Sequence, residues 1–141
     1  AWKKIPGSFQ FYTSPHVEVV ISGVPVLAFL DTGSSWSFMD ISFARKTGME
    51  SLIDTRYETF IGWTGEGSEK ITGRIHSCSV QIADQVLAGA FYIRNSSKVW
   101  PGHVQPLLIG TNFLNAHGCS VDMARDRMNV HDNAQAQFIY N

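Results

Sequence analysis

Asp31 stands at the end of an apolar stretch and opens the polar turn Asp31-Thr32-Gly33-Ser34-Ser35. A carboxylate so placed has two readings. Taken as a tripeptide, Asp-Thr-Gly is an ordinary surface turn with a solvated acid, and on those residues alone this reading carries most of the weight. The approach to it changes the balance. Val24, Val26, Leu27, Ala28, Phe29 and Leu30 drive the chain toward an interior, where carboxylates are seldom placed without a reason. An acid held there can take or give a proton if a neighbour sets its protonation state.

No other constellation competes. His16, His76, His103, His117 and His131 show no metal-ligand spacing and no CxxC is present, so neither a metal nor a cofactor is expected. His117 reads as a helix C-terminal residue rather than a base. Gly62, Gly65 and Gly67 do not form GxGxxG between a strand and a helix, which argues against a nucleotide site.

The elements that must carry Asp31 are short strands. The β-branched run at 17–21, the turn Ser22-Gly23 and the stretch 24–30 predict a hairpin feeding directly into the aspartate. A short strand is expected at 38–41 and a helical turn within 43–48. Residues 57–75 read as a long hairpin with the glycine-rich tip Gly62-Trp63-Thr64-Gly65-Glu66-Gly67. Cys78, Val80 and Ile82 alternate with polar residues, and 87–93 reads as a further strand. Pro106-Leu107-Leu108-Ile109-Gly110 is an apolar strand stopping at glycine. A helix is predicted over 112–117, capped by Thr111 and closed by Gly118. Strands follow at 119–123 and 128–130. The polar tail from Asn133 is expected to be mobile, apart from Phe138-Ile139-Tyr140. The division is a 1–13 extension, a 14–131 domain and a 132–141 tail.

The 141 residues are 44% hydrophobic and 16% charged with a net charge of −1, the profile of one globular domain. That charge leaves no electrostatic footprint for nucleic acid or an anionic membrane. No apolar run approaches the ~20 residues of a membrane span. The first residue, Ala1, is not Met, which suggests a domain cut from a longer protein. Two cysteines, Cys78 and Cys119, make no disulfide framework and favour a reduced, intracellular setting; the compartment expected is the cytoplasm, with the nucleus second.

The Asp-Thr-Gly turn, the glycine-rich hairpin and the element Leu107-Leu108-Ile109-Gly110-Thr111-Asn112-Phe113-Leu114 occur in one order. Together they resemble the retroviral-type (retropepsin-like) aspartic proteases, over about 14–123. Within that family, Leu52-Ile53-Asp54-Thr55-Arg56-Tyr57, the segments 61–67 and 70–76, and His117-Gly118-Cys119-Ser120-Val121-Asp122 are most similar to the cellular branch, the DNA-damage-inducible ubiquitin-shuttle proteins. The fold implied is mainly β: a closed, orthogonal barrel with a flap hairpin and one short C-terminal helix, in an obligate two-fold dimer.

The activity implied is endopeptidase cleavage of extended, largely apolar peptides, which needs two carboxylates sharing one proton. Asp40, Asp54, Asp84, Asp122, Asp126 and Asp132 all lack the following Thr-Gly or Ser-Gly. An isologous homodimer would therefore have to supply Asp31 twice. The resemblance assigns Asp31, Thr32 and Gly33 to catalysis, Thr32 bonding across the two-fold axis. It assigns Ser34, Ile61, Gly62, Trp63, Pro106, Leu108 and Gly110 to the substrate, with Ser34 bonding near the carboxylate and Gly110 beside the turn. Trp63 reads equally as a lid contact or as an anchor of the hairpin. Retroviral relatives brace their dimers with charged residues where this chain has Ser14, Ser35 and Thr111. Dimerisation is therefore expected through strand pairing of Cys119, Ser120, Val121, Asp122 and Met123, alongside Thr32. Substrates implied by the cellular branch are ubiquitin-tagged proteins. Two rivals stay open: a catalytically silent dimerisation or peptide-binding module, and a protease from a retrotransposon polyprotein.

Overall fold

A computed structural model describes residues 15–62, 68–95, 106–131 and 134–140. Strands β1 (Pro15–Ile21) and β2 (Val24–Leu30) form the expected hairpin, in register from His16↔Phe29 to Ile21↔Val24. Ser22 and Gly23 both take positive φ, 51° and 76°, the mirror-image two-residue turn whose twist suits paired strands. Alternation puts Val17, Val19 and Ile21 inside from β1, and Ala28 and Leu30 inside from β2.

After β2 come β3 (Phe38–Asp40), α1 (Ile41–Lys46) and two single 3₁₀ turns, at Glu50–Leu52 and Thr55–Tyr57. Asp40 caps α1 by accepting from the Ser42 N–H. Strands β4 (Thr59–Gly62) and β5 (Ser68–Ile71) pair as the expected hairpin. Its tip, with Trp63, lies outside the described residues. Strands β6 (Gly73–Ile82) and β7 (Gln85–Arg94) make a long hairpin with a register shift between Ile75 and Cys78.

Strand β8 (Leu107–Ile109) runs parallel to β2 and antiparallel to β3. Flanked on both edges, it is apolar at all three positions and wholly buried. The sheet order β1-β2-β8-β3-β7-β6 returns to its start through the pairing Val20↔Gln81, which closes a six-stranded barrel. Val17, Met39, Val80, Phe91, Ile93, Leu107 and Ile109 fill it with exposures of 0%.

Helix α2 spans Thr111–Ala116, and β9 (Ser120–Asp122), β10 (Arg127–Val130) and β11 (Ala134–Gln137) form a second, three-stranded sheet. Two expectations need correction. The helical turn expected within 43–48 is a full short helix that begins earlier, at Ile41, seeded by the Asp40 cap, so the C-terminal helix is not the only one. The tail beyond 133 is not a loose polar end: β11 pairs with β10, Phe138 is buried, and β12 (Ile139–Tyr140) pairs with Pro15 and His16. The side chains of β11 are largely polar because an outer strand needs apolar residues on one face only. Ala134 supplies that here.

Candidate active site

The inward pattern of β2 ends at Leu30, where the chain leaves the sheet. Asp31 is half-buried, and Thr32 and Gly33 are exposed. The apolar approach thus marks the strand and not a buried end point, so the carboxylate sits at the barrel surface.

Short bonds fix the turn. The Asp31 N–H donates to the Ile109 carbonyl at 2.9 Å, continuing the β2–β8 ladder one residue past the strand. The Gly33 N–H donates to Asp31 Oδ1 at 3.0 Å, closing a small ring that orients the carboxylate. The Ser34 N–H donates to the Asp31 carbonyl at 3.2 Å.

From the other side, β8 and α2 grip the turn. The Ser34 carbonyl accepts from the Thr111 N–H at 2.8 Å and from Thr111 Oγ1 at 3.2 Å. Thr111 is therefore not a cap; Gly110 holds that position, and the threonine hydroxyl ties α2 to the aspartate turn. A Cβ on Gly110 would lie 2.2 Å from the Trp36 carbonyl oxygen and 2.7 Å from that of Ser34. Only glycine allows this approach. Ser34 Oγ donates to the Trp36 carbonyl at 2.7 Å, so its hydroxyl braces the loop rather than the acid.

One participant, Ser37, lies in none of the motifs, and it engages Asn112 of the helix. Ser37, 1% exposed, donates to Asn112 Oδ1 at 2.7 Å and accepts from the Gly110 N–H at 3.0 Å. The signal was there: a serine directly before the apolar Phe38-Met39, with an asparagine opening the helix.

Leu108 is buried with Phe38 and Ile71, with Phe29 and Tyr92 packed against them. This second apolar cluster joins β8 to the β5 arm of the hairpin. Pro106 lies at the opposite end of β8 from Gly110, where its carbonyl accepts from the Asp40 N–H at 2.9 Å. Ile61 and Gly62 close β4 opposite Glu69 and Ser68. Beneath the hairpin, Arg94 is 2% exposed and lies over the Phe38 ring at 5.3 Å. Burial holds its pKa below the ordinary guanidinium value, against the pull of Glu69 and Asp40.

Among the described residues β9 pairs on one edge only, with β10. Met123 beside it is 50% exposed. The Asp122 carboxylate accepts from the Ala124 and Arg125 N–H groups and from Arg125 Nη1. Those bonds, that of the Arg125 side chain first, hold its pKa below the usual carboxylate range. No group of three His, Cys, Asp or Glu able to hold a metal occurs among the described residues.

Both thiols are inert by environment. Burial pushes Cys78 and Cys119 each up to about 11. Alkylation by iodoacetamide at pH 7.5 should run about three-hundredfold slower than for free cysteine, from the thiolate fraction alone. Rapid labelling of either residue in folded protein would contradict this. The folded pKa is raised, so the linked stability is fully present below the unfolded thiol pKa of about 8.5 and fades as pH rises toward 11.

The Aspartyl protease family model matches residues 6–122. Protein DDI1 homolog 1 of Caenorhabditis elegans is 33% identical over 127 residues, covering 90% of this chain and 31% of the relative. DNA damage-inducible protein 1 of Kluyveromyces lactis is 30% identical, covering 94% of this chain and 30% of the relative. The chain thus spans about a third of the length of the curated relatives it matches. The crystal structure of the retroviral protease-like domain of Ddi1 from Leishmania major superposes with a TM-score of 0.75 at 29% identity, covering 90% of this chain and 94% of that one. With a closed barrel carrying Asp-Thr-Gly at the end of β2, the chain belongs to the aspartyl protease family, as a retropepsin-like domain of the DDI1 branch.

Proposed function

We propose that two copies of this chain bring their Asp31 carboxylates together across a two-fold axis and hydrolyse peptide bonds as an aspartic endopeptidase. One observation carries the reading. The turn holding Asp31 is braced from β8 and α2 down to single hydrogen bonds, yet Thr32 and Gly33 stand exposed at the barrel surface. A turn so rigid and so open is suited to meeting its own symmetry mate.

Like charges a few ångströms apart do not both ionise, so the pair shares one proton. The ionised Asp31 takes a proton from a water between the two, and the water oxygen attacks the peptide carbonyl. The protonated Asp31 donates to the carbonyl oxygen as the tetrahedral species forms. On collapse a carboxyl returns a proton to the departing amine. Thr32 bonds across the axis, and Gly33 allows the backbones to meet. Ile61, Gly62 and Trp63 close over an extended peptide that adds as a β-strand. Leu108, Pro106 and Gly110 shape its side-chain pockets, and Ser34 stiffens their floor. Residues 119–123 pair the two copies, using the β9 edge. We place residues 14–131, with the strands that follow, in one protease domain acting on proteins in the cytoplasm or nucleus. Ubiquitin-tagged substrates would be recruited by regions outside this chain.

Cleavage of a peptide library at graded protein concentrations, with sedimentation in parallel, tests the proposal. Activity per chain should fall on dilution together with the dimer, and Asp31→Asn should be inactive. A monomer that cleaves would refute the shared site. Undiminished cleavage by Asp31→Asn would remove the reaction, and a wild-type dimer that binds peptides without cutting them would be the silent module.

A further inference from the structure

A strip of rings and charges runs from the Asp31 turn to the foot of the β4–β5 hairpin. Trp36, in the loop that follows the turn, stands edge-on to Tyr92 with ring centroids 5.7 Å apart. The Arg74 guanidinium lies 5.5 Å from the Tyr92 ring and 5.9 Å from that of Tyr57, two residues before the hairpin begins at Thr59. Trp36 and Tyr57 are 47% and 43% exposed, a large expanse of ring for a surface loop to leave open.

The charges on this strip do not balance. Asp54 is committed: it accepts from Arg56 Nε at 3.0 Å and Nη2 at 2.8 Å, and it meets His76 Nε2 at 2.9 Å. Arg74, by contrast, forms no ion pair among the described residues. Its guanidinium is held by aromatic rings, which attract the cation but accept no in-plane hydrogen bond. The in-plane N–H donors of a guanidinium match a carboxylate two-to-two.

We propose that Arg74, flanked by Tyr92 and Tyr57 with Trp36 beyond Tyr92, is a specificity-determining residue that reads an acidic side chain of the substrate some residues away from the scissile bond. The proposal rests on the peptidase reading above and adds to it the class of residue selected. Tyr57 and Tyr92 pre-orient the guanidinium, so less freedom is lost when a carboxylate arrives. Trp36 offers an apolar face to the methylenes of a glutamate. In a two-fold pair the strip occurs twice, so acids are favoured on both sides of the cleavage point.

The test uses peptides carrying Glu, Gln or Lys at successive positions on either side of a common cleavage site. Wild type should cleave the best Glu peptide about fivefold more efficiently than its Gln twin, the difference lying in KM. Arg74→Gln should abolish that preference while leaving the Gln peptide unaffected, and Arg74→Glu should turn it toward Lys. Equal losses on all peptides would mean that Arg74 is merely structural and would overturn the proposal. So would a wild type indifferent to Glu at every position. Anisotropy of labelled peptides bound to Asp31→Asn separates the two readings. If wild type cleaves nothing, the hydrolytic reading falls, while a Glu-over-Gln binding difference that Arg74→Gln erases still supports the subsite. If that difference is missing as well, the subsite falls too.

Discussion

At constant total protein, replacing the wild-type chain with a growing proportion of Asp31→Asn should depress peptide cleavage as the square of the wild-type fraction. The reason is the arithmetic of a site built from two identical halves. Random exchange leaves wild-type pairs in proportion to that square, and at tenfold excess about one chain pair in a hundred carries two aspartates. Mixed pairs keep a single carboxylate opposite an amide. The amide can donate a hydrogen bond, but it cannot take a proton from water or surrender one to the carbonyl oxygen. Removing a positioned acid or base costs on the order of 10²–10⁴ in rate, so mixed pairs contribute almost nothing. Asp31 invites this substitution because its hydrogen bonds barely change. Its N–H to Ile109 is main chain, and an asparagine oxygen can still accept from the Gly33 N–H. Activity that falls only linearly with the wild-type fraction, after exchange is verified with a tagged chain, would show that each copy works alone.

Much of this arrangement was written in local pattern. The β1–β2 hairpin, the glycine-tipped hairpin and the apolar strand ending at Gly110 follow from period-two alternation and turn residues, which depend on neighbours in sequence. What escaped the reading depends on partners far away in the chain. The insertion of β8 between β2 and β3 pairs residues 107–109 with 28–30 and with 38–39, and nothing local announces it. Thr111 looked like a helix cap because its type and position suit one; its hydroxyl goes instead to Ser34, 77 positions earlier. Ser37 and Asn112 meet across 75 positions for the same reason. The tail does not announce itself as a strand because Gln135 and Gln137 face outward on β11, and the inward contacts of Ala134 and Phe138 become apolar burial only once the barrel exists. Trp36 is legible as an exposed ring only after the loop is placed.

Gly110→Ala is expected to cripple the protein more than its single methyl group suggests. The backbone at Gly110 is ordinary, with φ of −101° and ψ of −175°, a conformation open to any residue, so the effect isolates contact from strain. The new Cβ would sit 2.2 Å from the Trp36 oxygen and 2.8 Å from its carbonyl carbon, and both are main-chain atoms with no rotamer to retreat into. Relief requires β8 to part from the Ser34–Trp36 loop. That movement strains the two Thr111 bonds to Ser34 and the Ser37–Gly110 bond together. Forced overpacking of this kind costs about 3 kcal/mol, the upper part of its usual range. Against a typical total of about 5–15 kcal/mol, a fall in Tm of roughly 10 °C is expected. Activity should fall further than stability does, because the displaced loop carries Asp31, and a shift of about 1 Å in a reacting group costs on the order of 100-fold. Gly48→Ala is the matched control. Gly48 has φ of +74°, and a methyl group added there would meet nothing within 4 Å, so its cost is backbone strain alone, about 1 kcal/mol. Thermal melts and cleavage assays on both variants decide the matter. If Gly110→Ala melts and cleaves like wild type, the wedge between β8 and the aspartate turn does not hold the site. If Gly48→Ala loses as much activity as Gly110→Ala, the loss reflects general destabilisation rather than the placement of Asp31.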